Sequence, residues 1–124
     1  MADPKQVVLD FCDAWSSLDK QRILDSFTDD GVYHNMPMAP AVGKQAIDQL
    51  LAFILPQGKD GIRFEVKKIA ADGDVVLTER IDYFTVGGKV VELPVMGAFQ
   101  VRDGKIAAWR DYFDMATWTK QTAG

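Results

Sequence analysis

The sequence predicts an α+β domain: a curved antiparallel sheet packed on three N-terminal helices, with a cone-shaped pocket inside. Apolar residues recur at helical spacing up to Leu55, and from Arg63 they switch to period two. The alternating part is cut at Asp72-Gly73-Asp74, Gly87-Gly88 and Asp103-Gly104, which are turn signals joining neighbouring antiparallel strands. Helices first and a strand meander second define the class.

The first helix starts at Asp3-Pro4, a capping side chain followed by proline at the first helical position. Val7, Val8, Phe11, Cys12, Trp15 and Leu18 form its apolar face. Asp19 caps a second short helix holding Ile23, Leu24 and Phe27, and Thr28-Asp29-Asp30-Gly31 reads as a turn. A short strand from Val32 to Asn35 runs into Met36-Pro37-Met38-Ala39-Pro40, where two prolines exclude a regular helix or central strand. Gly43 precedes a third helix over roughly Lys44 to Leu55, ended by Pro56-Gln57-Gly58. Phe64 and Val66 mark the next strand, followed by strands over Val75–Val86, Val90–Arg102 and Lys105–Phe113. Pro94 within one of these predicts an edge position or a bulge.

The 124 residues suit one domain, 1–124, with no repeat or linker. A net charge of −4 without a basic patch argues against nucleic-acid binding. The lone Cys12 rules out an internal disulfide and reads as a small buried residue. No signal peptide and no membrane-length apolar run are visible, so the expectation is a soluble cytoplasmic protein.

Polar residues interrupt two otherwise apolar strand faces. Ala107, Trp109, Asp111 and Phe113 share one face, and Val76, Thr78, Arg80, Asp82 and Phe84 share another. A buried unpaired charge is costly, so such a carboxylate should have a partner, a shifted pKa, or both. An Asp–Arg–Asp cluster meets that need and is equipped for acid–base chemistry. A solvated strand end or a purely structural ion pair remains the plain alternative for each. Tyr33 and Asn35 share a face and together offer donors and an acceptor that hold a water, or simply brace the strand. His34 points the other way and reads as a surface or interface residue. Met36, Met38, Leu93, Val95, Met96, Phe99 and Trp109 are candidates for an apolar lining, with core packing the alternative. Trp118 is a lid or interface residue. A lone histidine gives no metal-site spacing, and Asp29-Asp30 and Asp72-Gly73-Asp74 read as turns rather than cation ligands. No serine sits in a nucleophile elbow, and no glycine-rich loop has phosphate-binding spacing.

The set Tyr33-His34-Asn35-Met36-Pro37, Arg80-Ile81-Asp82 and Trp109-Arg110-Asp111-Tyr112-Phe113-Asp114 resembles the limonene-1,2-epoxide hydrolases, which share the nuclear-transport-factor-2-like (NTF2-like, SnoaL-like) cone fold with ketosteroid isomerases and polyketide cyclases. The resemblance covers nearly the whole chain in element order. It implies Asp111 as general base, Tyr33 and Asn35 as holders of the water, and Asp82 as general acid toward the epoxide oxygen. It also implies Arg80 as a bridge between the carboxylates and Trp109 as pocket lining. No metal or other cofactor, no covalent enzyme intermediate, and a homodimer follow from the same likeness. Relative to the best-known members the chain begins closer to its first helix, which predicts a pocket less closed on that side. The substrate it implies is a small apolar epoxide, converted to a vicinal diol. Two other readings compete. A ketosteroid-isomerase-like or polyketide-cyclase-like enzyme would use one Asp to move a proton on a carbonyl substrate. A non-catalytic ligand-binding domain would have no open cavity between the two aspartates.

Overall fold

The computed structural model describes residues 3–123. Helix α1 (Pro4–Ala14) begins as its sequence dictates: the Asp3 side chain accepts the Lys5 N–H, and Pro4 fills the first turn. It buries Val8, Phe11, Cys12 and Ala14 and passes through a 3₁₀ turn (Trp15–Ser17) into α2 (Lys20–Leu24), capped by Asp19. Strands β1 (Phe27–Asn35) and β2 (Ala41–Val42) precede α3 (Lys44–Ile54), which ends in a second 3₁₀ turn, Leu55–Gly58. Then come β3 (Ile62–Asp72), β4 (Val75–Val86), β5 (Lys89–Arg102), β6 (Lys105–Tyr112) and a C-terminal helix α4 (Met115–Thr122). Among the described residues no helix is long and apolar enough to cross a membrane.

The six strands form one sheet in the order β2-β1-β6-β5-β4-β3. The meander from β3 to β6 is antiparallel, joined at Gly87-Gly88 and Asp103-Gly104 by turns with positive φ at both positions. That geometry matches the right-handed twist of the strands. The sheet as a whole is mixed and not wholly antiparallel, because β1 pairs with β6 in parallel. A parallel pair needs a long crossover, and α3 with three strands supplies it.

Three local expectations change. Phe27 opens β1 and does not close α2, and Thr28 to Gly31 lie within β1 as a register break between Phe27 and Val32. A bulge absorbs the turn-forming residues without ending the pairing. Pro94 is paired with Ile81 of β4, while β6 covers β5 only from Met96 to Arg102. Pro94 thus stands where β5 has outrun its other neighbour, a local edge. Helix α4 is an element the strand periodicity does not announce. It is capped by Asp114, which accepts from the Ala116 N–H at 3.1 Å, and held to the open edge of β5 by Gln121. The Gln121 side chain accepts the Glu92 N–H at 2.9 Å and donates to the Glu92 carbonyl at 2.6 Å.

Helices α1 and α3 cover the concave face of the sheet. Aromatic rings fill the narrow end: Phe11 meets Phe27, Phe99 and Trp109 edge-on at 5.4, 6.1 and 4.9 Å. Fully burying such side chains stabilises by roughly 1.5–3 kcal/mol each. The wide end is left hollow.

Candidate active site

Strict alternation carries the functional side chains inward. On β4, Val76, Thr78, Arg80, Asp82 and Phe84 are all buried, and on β6 Trp109 and Asp111 are. Strand β1, parallel to β6, sets Tyr33 level with Trp109 and Asn35 level with Asp111. The sheet therefore brings all five candidate catalytic residues into one region.

Arg80 is the hub. Its Nε and Nη2 donate to Asp82 Oδ1 and Oδ2 at 3.0 and 2.8 Å. Its Nη1 and Nη2 donate to Asp111 Oδ1 and Oδ2 at 3.1 and 2.7 Å. One planar guanidinium thus forks onto two carboxylates, a geometry lysine does not offer. Thr78 Oγ1 lies 3.3 Å from Nη1, and the Phe64 ring sits 4.9 Å from the guanidinium carbon. Trp109 Nε1 adds a third donor to Asp111, at 2.6 Å.

Gly97 makes this reach possible, and the sequence reading missed it. It lies on β5 between β4 and β6, paired with Thr78 on one side and Asp111 on the other. Arg80 must pass over β5 to touch Asp111. A Cβ on Gly97 would collide with Arg80 Nη1 and come within 2.8 Å of Asp111 Oδ1. The available signal was one glycine in an otherwise bulky alternating row, a mark of close approach.

The electrostatics are asymmetric. Burial pushes Asp82 up to about 6; Arg80 opposes this and the charge of Asp111 adds to it. Burial would lower Arg80, but Asp111 and Asp82 outweigh it and hold the guanidinium well above its ordinary value. Burial raises Tyr33 far above the usual phenol range, and the Asp111 charge adds to that, so Tyr33 stays a neutral hydroxyl. Cys12 is buried and its thiol is pushed up to about 12 by burial, so it is no nucleophile.

An apolar cavity of about 270 Å³ opens above the triad, and Tyr33, Asn35, Asp82 and Asp111 all border it. That is at the small end of ligand pockets. A fold with no open space between the aspartates is thereby excluded. Met38, Leu93 and Val95 line it as expected from the sequence, whereas Met36, Phe99 and Trp109 do not. Met36 turns outward on the proline-rich loop and is 36% exposed. Phe99 and Trp109 lie stacked beneath the floor with centroids 5.4 Å apart, and Trp109 supports Tyr33, stacked at 4.2 Å. Met96 faces solvent on the outer side of the sheet. His34 also points away from the cavity, its Nε2 2.9 Å from the Met38 carbonyl oxygen. The far wall comes from residues the sequence did not single out for a site, including Phe53 in α3, Gln57 in the 3₁₀ turn after it, and Phe113 and Met115 before and in α4. Trp118 lines the mouth and packs edge-on against Phe84 at 5.2 Å.

The cone holds a buried Asp–Arg–Asp cluster at the floor of an apolar cavity. Comparisons with known proteins identify its family. A family model described as the limonene-1,2-epoxide hydrolase catalytic domain matches residues 2–124. Epoxide hydrolase EphG of Mycobacterium tuberculosis (strain ATCC 25618 / H37Rv) is 37% identical over 105 residues, 85% of this chain and 69% of that protein. A solved M. tuberculosis LEH-like epoxide hydrolase aligns with a TM-score of 0.82 at 33% identity, covering 95% of this chain and 87% of that one. A putative SnoaL-like polyketide cyclase from Shewanella putrefaciens CN-32 reaches a TM-score of 0.84 over 99% of this chain and 87% of its own, at 16% identity, and shares the fold alone. The chain belongs to the limonene-1,2-epoxide hydrolase family and is an epoxide hydrolase.

Proposed function

We propose that the enzyme adds water to a small apolar epoxide in a single step, giving a vicinal diol, with Asp111 as base and Asp82 as acid. The observation that carries this is the one guanidinium shared by two buried carboxylates at the edge of an apolar cavity. One positive charge balances one negative charge, so the neutral state of the triad has one aspartate protonated. Asp111 accepts three N–H bonds and Asp82 two, which favours the charge on Asp111 and the proton on Asp82. The upward shift of Asp82 agrees.

In this mechanism Tyr33 and Asn35 hold a water against Asp111. The water oxygen attacks an epoxide carbon and its proton passes to Asp111. The carbon–oxygen bond breaks as Asp82 protonates the leaving oxygen. Asp111 ends neutral and Asp82 charged, and one proton exchange between them restores the start. An epoxide has ring strain but a poor leaving group, so the proton from Asp82 is what makes neutral water a sufficient nucleophile. A carbonyl isomerase pairs one base with an oxyanion hole, and Arg80, forked onto both carboxylates, fits that arrangement poorly.

Turnover of cyclohexene oxide or limonene oxide tests the reading. Asp82→Asn and Asp111→Asn are each expected to lose about 10²–10⁴-fold in kcat/KM, the range for a placed acid or base. Wild-type rates in either variant refute it. In ¹⁸O-labelled water, label enters the diol in the first turnover; an unlabelled first turnover would mean an enzyme ester.

The same reading includes a homodimer. Leu77, Met96 and Tyr112, 47, 52 and 48% exposed, lie on the outer face of neighbouring strands with Glu79 and Arg110 among them, a mixed surface that a second copy would cover.

A further inference from the structure

Arg80 donates through every N–H it has. A guanidinium carries five such donors. Four go to carboxylates: Nε and one Nη2 proton to Asp82, the other Nη2 proton and one Nη1 proton to Asp111. The fifth, the second proton of Nη1, goes to Thr78 Oγ1 at 3.3 Å. Thr78 is the one acceptor besides the two aspartates that Arg80 has among the described residues.

Thr78 is 1% exposed and shares its strand face with the buried Val76 and Phe84. A valine would fill nearly the same space, and a buried hydroxyl costs free energy unless it is bonded. The hydroxyl therefore has a purpose beyond packing. Across the sheet Thr78 pairs with Gly97, and a Cβ there would lie 2.9 Å from Thr78 Oγ1. The hydroxyl and the guanidinium meet in the space that the missing side chain leaves.

The fifth bond bears on the base. Asp111 Oδ1 accepts from Arg80 Nη1 at 3.1 Å and from Trp109 Nε1 at 2.6 Å, whereas Oδ2 accepts only from Arg80 Nη2 at 2.7 Å. A carboxylate oxygen has about two lone pairs, so the uncommitted one lies on Oδ2. Without the Thr78 oxygen, one N–H of a buried cation is unmatched, which is costly, and the guanidinium tilts to share Asp111 with it. That tilt carries Oδ2 with it. We propose that Thr78 is a positioning residue: its hydroxyl takes the fifth N–H of Arg80, fixes the plane of the guanidinium, and so holds Asp111 Oδ2 in place as the atom that receives the proton of the attacking water. This rests on the reading of Asp111 as general base.

Steady-state turnover of limonene oxide by Thr78→Val and Thr78→Ser tests it, with Asp111→Asn alongside and circular dichroism to confirm folding. Thr78→Val is expected to lower kcat about 10- to 100-fold, one hydrogen bond to a charged group, with KM unchanged within about twofold. Thr78→Ser keeps the hydroxyl and should stay within about threefold of wild type. Loss of packing alone would lower stability and leave kcat per folded molecule where it was. Wild-type kcat in a folded Thr78→Val, or an equal loss in Thr78→Ser, overturns the proposal while Asp111→Asn remains impaired. Wild-type rates in Asp111→Asn strike the reading of the mechanism instead.

A second readout needs no variant. A guanidinium NH₂ group with both protons bonded turns slowly about its C–N bond and shows two separate proton resonances. Arg80 is the one fully buried arginine among the described residues, so its nitrogen-bound protons stand apart from those of exposed arginines. The wild type should give four resolved Nη protons. In Thr78→Val the Nη1 pair should merge, and in Thr78→Ser it should stay split. A merged Nη1 pair in the wild type overturns the proposal whether or not any variant folds.

Discussion

Arg80 brings one positive charge to a place where two buried carboxylates compete for it, and the proposed mechanism rests on that shortage. Asp82 sits near 6 in the folded chain and at 3.8 as a free side chain. The folded state therefore keeps a proton that the unfolded state has released between those values. This contribution to stability is fully present below pH 3.8 and is lost as pH rises through 6, on the order of 3 kcal/mol at 1.36 kcal/mol per pH unit. Denaturant titrations of the wild type from pH 4 to 7 should show this decline, and Asp82→Asn should flatten it. If Asp82 is the acid, as proposed, kcat/KM falls as pH rises above about 6, up to tenfold per unit. Gly97→Ala should fold yet lose at least about 10²-fold in kcat/KM, because its methyl displaces Arg80 or Asp111 from the fork; circular dichroism beside the rate separates this from unfolding. Asp82, Asp111 and Arg80 were legible in the sequence because charge inside an apolar row conflicts with burial. Gly97 was not, since absent bulk shows only when the neighbouring strands are in place.

Each element does its work through an end or an edge. The 3₁₀ turn after α3 lets the chain pass under Phe84: a Cβ on Gly58 would lie 2.5 Å from Ile62 Cγ1 and 2.9 Å from Phe84 Cδ2. Gly58→Ala is expected to destabilise by about 1–3 kcal/mol through overpacking, seen as a lower urea midpoint at unchanged slope. Helix α4 has no fully buried residue and depends on Trp118 against Phe84 and on the Gln121 clip to Glu92. Gln121→Ala should free the Glu92 amide, and hydrogen exchange at that N–H and across α4 should rise with little change in global stability. Elements with strong period or strong caps, such as α1, α3 and the hairpins of β4 to β6, were readable from local pattern. Helix α4 went unannounced because two short helical turns after a strand look like a tail, and β2 because two residues carry no period.

At the scale of the whole molecule, the outer sheet face gives a further test. Met96→Glu places a charge in the exposed patch of Leu77, Met96 and Tyr112, and sedimentation velocity should show a shift from dimer to monomer relative to wild type. A wild type that sediments as a monomer would remove the homodimer from the reading. The family and the cone were legible because five polar positions recur together, but the direction of β1 was not. Local alternation says that Val32 to Asn35 form a strand and is silent on which distant strand they join, or with what polarity. That union ties Tyr33 and Asn35, from the first third of the chain, to Trp109 and Asp111 near its end. During translation, then, the guanidinium at position 80 leaves the ribosome well before the carboxylate that completes its fork. Until strand β6 emerges, a nascent polypeptide holds neither its complete sheet nor the assembled Asp–Arg–Asp fork.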